Sequence, residues 1–201
     1  MTVRMVSTLH DKHVFQRRIQ ALARAIGPKL ESGHVLDVGC GNGQLAALIM
    51  TQRDDVDIVG IDVHLRPESY VPVAHYDGEH IPYDAGMFSS VMIVDVLHHT
   101  DDPVNVLREC LRVSRGGIVV KDHFFSNPLD RLLLRGMDWV GNAPHGVRLP
   151  YRYFTRTSWA QALESAGAHE VMREEVVSNL YPQPFQSLIG RRIQFVAQLG
   201  H

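Results

Sequence analysis

Two stretches of this sequence gather residue types that could hold a ligand or move a proton. In Asp37-Val38-Gly39-Cys40-Gly41-Asn42-Gly43, glycines alternate directly after a short apolar run and directly before a helical one. Glycine serves where the backbone takes positive φ, or must approach a ligand with no Cβ between. The next β-branched run closes on Asp62, where a carboxylate can accept from both hydroxyls of a ribose, or merely end a strand. A dinucleotide-binding turn reads G-x-G-x-x-G; here Gln44 stands where its last glycine belongs, which disfavours nicotinamide and flavin dinucleotides. The second stretch is polar at two strand exits: His98-His99, and Lys121-Asp122-His123. Imidazole, with an ordinary pKa near 6.5, suits acid–base work at neutral pH.

The elements that would position these residues follow from periodicity. Phe15, Ile19, Leu22, Ile26 and Leu30 form one stripe of an amphipathic helix over residues 11–30, weakened by Gly27-Pro28 and closed by Gly33. Strands are predicted at His34–Val38, Val56–Val63, Val73–Tyr76, Ser90–Val94 and Ile118–Lys121, with helices at Gln44–Gln52 and 103–113. Such alternation implies an α/β fold: a doubly wound, mostly parallel sheet with helices on both faces and ligands at the strands' carboxyl ends. After residue 123 the pattern changes. Residues 124–155 carry aromatics among Gly and Pro, a helix is predicted at 157–166, and Val171–Ser178 with Arg192–Leu199 reads as an antiparallel pair that brings the sheet to seven strands.

The 201 residues suit one domain, and 45% hydrophobic with 21% charged residues is a globular composition. A net charge of -2 argues against a nucleic-acid partner. Two cysteines, Cys40 and Cys110, are too few for a disulfide framework or thiolate cage, and suit a reducing cytoplasm. No signal peptide and no spanning apolar run is read, so a cytoplasmic location without integral membrane association is expected. The 12 histidines include no H-x-x-x-H with a third ligand nearby in sequence, so no metal is expected.

Val35-Leu36-Asp37-Val38-Gly39-Cys40-Gly41-Asn42-Gly43 resembles the first motif of class I S-adenosylmethionine-dependent methyltransferases. The likeness continues through Asp77-Gly78-Glu79-His80-Ile81-Pro82, Phe88-Ser89-Ser90-Val91, Asp95-Val96-Leu97-His98-His99 and Arg112-Val113 with Gly116-Gly117, over about residues 33–123. It is closest to the small-molecule and quinone-biosynthesis branch. The resemblance implies S-adenosylmethionine as cofactor and assigns roles. Asp37 with Gly39, Cys40, Gly41 and Gly43 would hold its methionine end, and Asp62 its ribose, with Val63 beside the adenine. Asp77 would accept from the adenine amino group next to Gly78, although an Asp-Gly pair also makes an Asx-turn. Asp95 and Val96 would line the pocket at the methyl, although Asp95 could equally cap the following helix.

Methyl transfer from a sulfonium is an in-line displacement, which asks for an aligned acceptor about 3 Å away, a base where the acceptor is an alcohol, phenol or activated carbon, and exclusion of water. His123, Asp122 and His99 are the candidate catalytic residues, with His98 as a brace or a further base. The acceptor is expected between the sheet and two covers, a lid helix within residues 1–32 and the insert 124–155, whose Phe124, Phe125, Met137, Trp139, Tyr151 and Tyr153 form an apolar wall or simply close the core. Residues 33–123 would be the cofactor-binding core and 156–201 the rest of the sheet. The sequence at Asp95-Val96-Leu97-His98 lacks the D/N-P-P-Y/F pattern of exocyclic-amine methylation in DNA, and two cysteines do not suit arsenic. The expected acceptor is therefore O or C of a small, apolar or aromatic molecule. Two other readings are weighed: a non-catalytic S-adenosylmethionine-binding module and a nicotinamide-dependent oxidoreductase.

Overall fold

The computed structural model describes residues 16–142, 150–174, 180 and 193–201, with only the backbone of 140–142. A seven-stranded sheet runs in the order β3-β2-β1-β4-β5-β7-β6. Its strands are β1 Gly33–Val38, β2 Val56–Asp62, β3 Val73–His75, β4 Ser90–Val94, β5 Ile118–His123, β6 His169–Glu174 and β7 Gln194–Gly200. β1 pairs in parallel with β2 and β4, β2 with β3, and β4 with β5. β7 runs antiparallel to both β5 and β6. From β1 the chain first winds outward through β2 and β3, then returns to β4 on the other side. That reversal leaves a crevice at the carboxyl ends of β1 and β4.

Alternation along each strand sorts the core into two layers. Leu36, Val38, Val91, Ile93, Ile118, Val120 and Phe195 pack with helices α3 (Pro103–Val113) and α5 (Arg156–Ala166). Val35, Met92, Val119 and Val196 pack on the opposite face, with helix α1 (residues 16–26) and α2 (Gln44–Gln52). Helix α1 buries Ile19, Leu22 and Ile26, and Pro28 turns its end into a 3-10 turn at Gly27–Lys29 rather than letting it run on to 30. Phe15 lies outside the described residues.

Beyond one-residue shifts at β1, β2 and β3, the larger differences from the sequence reading fall in the second half of the chain. β5 runs two residues beyond Lys121, so Asp122 and His123 are strand residues on opposite faces of the sheet, not loop residues after it. Tertiary burial of all six residues overrides their polarity. The insert contains a helix, α4 (Pro128–Asn142), that Gly136 and the flanking prolines disguised. β6 begins at His169 instead of Val171, while residues 175–178 and Arg192 of the expected pair lie outside the described residues. Among the described residues, no helix is long and apolar enough to cross a membrane.

Candidate active site

The glycine turn follows β1 into the crevice. Gly39, Gly41 and Gly43 have φ of 71°, 61° and 73°, the left-handed region that disfavours side chains. A Cβ on Gly39 would overlap Val96, and one on Gly43 would overlap Val71; one on Gly41 would meet nothing within 4 Å. Gly39 and Gly43 are thus glycines because the protein packs against them, whereas Gly41 borders open space. Cys40 fits because Gly60 on β2 leaves room for its sulfur.

Asp62, at the end of β2, ties the turn down: its Oδ2 accepts from the Gly41 amide at 2.8 Å and its Oδ1 from the His64 amide at 2.8 Å. A carboxylate oxygen accepts more than one hydrogen bond, so capacity for a ribose remains. Asp37 is buried beside it, and burial together with the Asp62 charge pushes its carboxyl up to about 8. Val63 stands 40% exposed, and a Cβ on Gly78 would come 3.3 Å from it, so the two lie against each other. Asp77 makes the Asx-type contact foreseen as the alternative, its Oδ1 accepting from the amides of Glu79 and His80 at 2.8 and 2.7 Å. Those amides hold its carboxyl below the usual range. A glycine turn whose backbone at Gly41 borders open space, with an acid at the next strand end and the exposed Val63 beside it, fits an adenosyl cofactor.

Across the crevice, Asp95 follows β4 with φ 58°, a strained value for a residue with a side chain. It does not cap the next turn, Leu97–His99, which has no side-chain cap. Its carboxylate instead receives Lys121 Nζ and, at 2.5 Å, Arg18 Nη2 from α1. Burial would raise its carboxyl, but Lys121 and Arg18 outweigh that and hold it far below the usual range.

His98 is the hub of the second cluster. Its Nδ1 lies 2.7 Å from Asp122 Oδ1 and its Nε2 3.4 Å from Asp138 Oδ2, and Asp138 also accepts from the Tyr153 hydroxyl. Burial alone would depress His98; the two carboxylates prevail and raise it to about 10, so it is an imidazolium at neutral pH. Burial and the His98 charge push His99 down to about 4, and burial and Lys121 push His123 down. These two rings are neutral and can accept a proton, whereas His98 cannot. Asp122 is fully enclosed; burial would raise it, but His98 and His123 keep it ionised.

Of the expected catalytic residues, Asp122, His99 and His123 do converge, although Asp122 bonds the neighbour His98 and the His123 amide rather than facing the crevice. His123 Nδ1 and His99 Nδ1 are buried without a hydrogen-bond partner among the described residues. The sequence reading missed Asp138 and Arg18 as members and noted Lys121 only as part of the polar end of β5. Leu134 and Asp138, one turn apart and both buried, are the signal that a helical reading of the insert would have exposed. Trp139, expected in the apolar wall, is 63% exposed, and Phe124 belongs to the main core, stacked 4.1 Å from Phe195. Phe125, Met137 and Tyr151 do surround Leu134, Tyr153 and Ile193.

Two triads, His98 with Asp122 and His123, and His98 with His99 and Asp138, each bring potential metal-ligand atoms within 4.8 Å, a grouping that the sequence spacing did not reveal. Both depend on His98.

A glycine turn answered by an acid, and a buried cluster of histidines and carboxylates across one switch point, define the class: an α/β domain with a crevice of the kind that holds a nucleoside-bearing cofactor. Residues 10–171 match the family model described as "Methyltransferase domain", and the chain belongs to that family, class I and S-adenosylmethionine-dependent. The 27-O-demethylrifamycin SV methyltransferase of Amycolatopsis mediterranei is 24% identical, covering 82% of this chain and 72% of its own. A ubiquinone biosynthesis O-methyltransferase of Escherichia coli is 32% identical over 57% of this chain and 50% of its own length. The chain thus spans only about half of several curated relatives. An S-adenosylmethionine-dependent methyltransferase from Mesorhizobium loti shares the fold, with TM-score 0.64 at 17% identity over 90% of this chain and 98% of that one.

Proposed function

We propose that this protein transfers a methyl group from S-adenosylmethionine to an oxygen, or an activated carbon, of a small apolar or aromatic acceptor. The observation that carries the reading is the grouping of His99 and His123 around His98, ring centroids 4.0 and 5.0 Å from it at the ends of β4 and β5, with Nδ1 of both rings lacking a hydrogen-bond partner among the described residues. Support comes also from the relatives, whose names specify O-methylation of a rifamycin precursor and of a ubiquinone precursor.

In this reading Asp37 and the turn backbone of Gly39, Cys40, Gly41 and Gly43 hold the methionine end, Asp62 the ribose, and Val63, Asp77 and Gly78 the adenine. Asp95 and Val96 line the methyl side. The cofactor, when bound, supplies an electrophilic methyl on a sulfonium. His123 takes the acceptor's proton at Nδ1 or Nε2, with His99 as the second neutral ring available. Asp122 anchors His98, and that imidazolium favours the developing acceptor oxyanion and keeps its neighbours neutral. The described parts of the two expected covers, helix α1 and the insert's helix α4, cover the acceptor and exclude water.

The test is turnover. Purified protein is supplied with S-adenosylmethionine and a panel of phenols, catechols and aliphatic alcohols, and S-adenosylhomocysteine is measured. Cofactor uptake in calorimetry with no product from any acceptor would make the chain a binding module instead.

A further inference from the structure

We propose that helix α4 docks this protein peripherally on an anionic membrane surface. Leu129, Leu132 and Trp139 are 62%, 67% and 63% exposed, and Leu133 is 37% exposed. At about 100° per residue these four side chains and Gly136 fall within about 120° of the helix surface, one continuous apolar stripe. Both acids of the described helix are turned the other way. Asp130 is 1% exposed and accepts from the Ser126 amide and the Asn127 side chain, while Asp138 is 7% exposed against His98 and Tyr153.

The charges left beside the stripe are all positive. Arg131 and Arg135 lie over the rings of Phe125 and Tyr151, at 5.8 and 4.7 Å, and both fall toward the same border of the stripe, Arg135 the nearer. Leucines and a tryptophan flanked by arginines, with every acid withdrawn, match what an interfacial helix needs: apolar side chains that enter the acyl boundary and cations that meet phosphate headgroups. A second copy of this chain fits less well, because its α4 offers the same arginines and no exposed carboxylate to pair them. The helix also links surface to site, since its inner face carries Asp138 against His98. Docking through the stripe therefore sets the acid–base cluster one helix diameter from the lipid, a suitable distance for an apolar acceptor.

The experiment measures binding and needs no turnover, so it stands apart from the acceptor's identity. The full chain is mixed with vesicles of phosphatidylcholine alone, or of equal parts phosphatidylcholine and phosphatidylglycerol, and followed by co-sedimentation and tryptophan emission. The expected result is association with the anionic vesicles, at least about tenfold weaker with phosphatidylcholine alone, and a blue shift from Trp139. Leu132→Glu and Trp139→Gln, both at exposed positions, keep the thermal midpoint and each weaken association by about tenfold or more. The proposal is overturned if the protein stays in the supernatant, if either variant binds like the parent, or if both vesicles bind equally. It is also overturned if the parent self-associates in ultracentrifugation and Leu132→Glu makes it monomeric, which would assign the stripe to a second copy.

Discussion

His98 Nδ1 stands 2.7 Å from Asp122 Oδ1, with 1% and 0% of the two side chains exposed. Taking both groups out of water is tolerable only while each answers the other, so removing one leaves an enclosed, uncompensated charge. His98→Ala is expected to destabilise the fold by about 3–5 kcal/mol, measured by denaturant unfolding. The pH dependence follows from the shifts. His98 is raised from 6.5 to about 10, so its contribution is complete below pH 6.5 and is lost as pH rises toward 10. Asp122 is lowered from 3.8, so its contribution is present above that value and is lost as pH falls below it. The parent should thus lose stability from pH 6.5 to 10 more steeply than His98→Asn; parallel curves would contradict the pairing.

Asp37 carries the opposite kind of shift. Its carboxyl is raised from 3.8 to about 8, so the folded apoprotein binds a proton there that the unfolded chain gives up, and stability from this group falls between pH 3.8 and 8. A cofactor bearing ammonium and sulfonium charges favours the ionised form. Binding near pH 7 should release up to about one proton, seen as a dependence of the binding enthalpy on the buffer's ionisation enthalpy. Asp37→Asn should abolish that dependence. An unchanged dependence in the variant would assign the proton elsewhere.

The cofactor side of the site was legible in the sequence because it is local: one turn and one acid are fixed by backbone needs that glycine and aspartate advertise, as at Gly39 and Asp62. The acid–base side was legible only in part. His98, His99 and His123 stood out as residue types, but which ring is charged depends on pairings across the chain, His98 first with Asp122 and then with Asp138, which reaches it from 40 residues along the chain. That carboxylate sits on a helix whose outer face is as apolar as its inner one, so periodicity alone gave no direction. β5 hid its last two residues for a related reason, since polar strand ends are read as loops unless the partner strand, here β7, is known.

The glycines of the turn should separate by what they touch. Gly39→Ala and Gly43→Ala place a methyl against Val96 and Val71 and should lower stability by about 1–3 kcal/mol, with cofactor affinity falling as a consequence. Gly41→Ala meets no atom of the protein, so its stability loss should be limited to the left-handed backbone, about 1–2 kcal/mol. If Gly41 borders the bound cofactor, that variant should still lose more affinity than its small change in thermal midpoint accounts for. Asp62→Asn keeps an acceptor for the Gly41 amide yet removes the charge, and should weaken the cofactor by about 2–3 kcal/mol in calorimetry. Full affinity in Asp62→Asn would remove the ribose role.

Kinetics distinguishes which ring takes the acceptor's proton. His123→Gln should lower kcat by about 10²–10⁴-fold while cofactor affinity holds, because the ring lies with the β5 exit and not with the glycine turn. The parent's pH profile discriminates among the three histidines without mutation. A base must be unprotonated, so activity falls as pH drops through the base's own pKa. His123 is held below 6.5, so its limb should lie on the acid side of that value; a limb near 4 would point to His99, and one near 10 to His98. Removing the His98 charge with His98→Asn should then move the limb upward, since that charge is one of the influences depressing His123. A limb that stays fixed in His98→Asn, or persists in His123→Gln, would exclude His123 as the base.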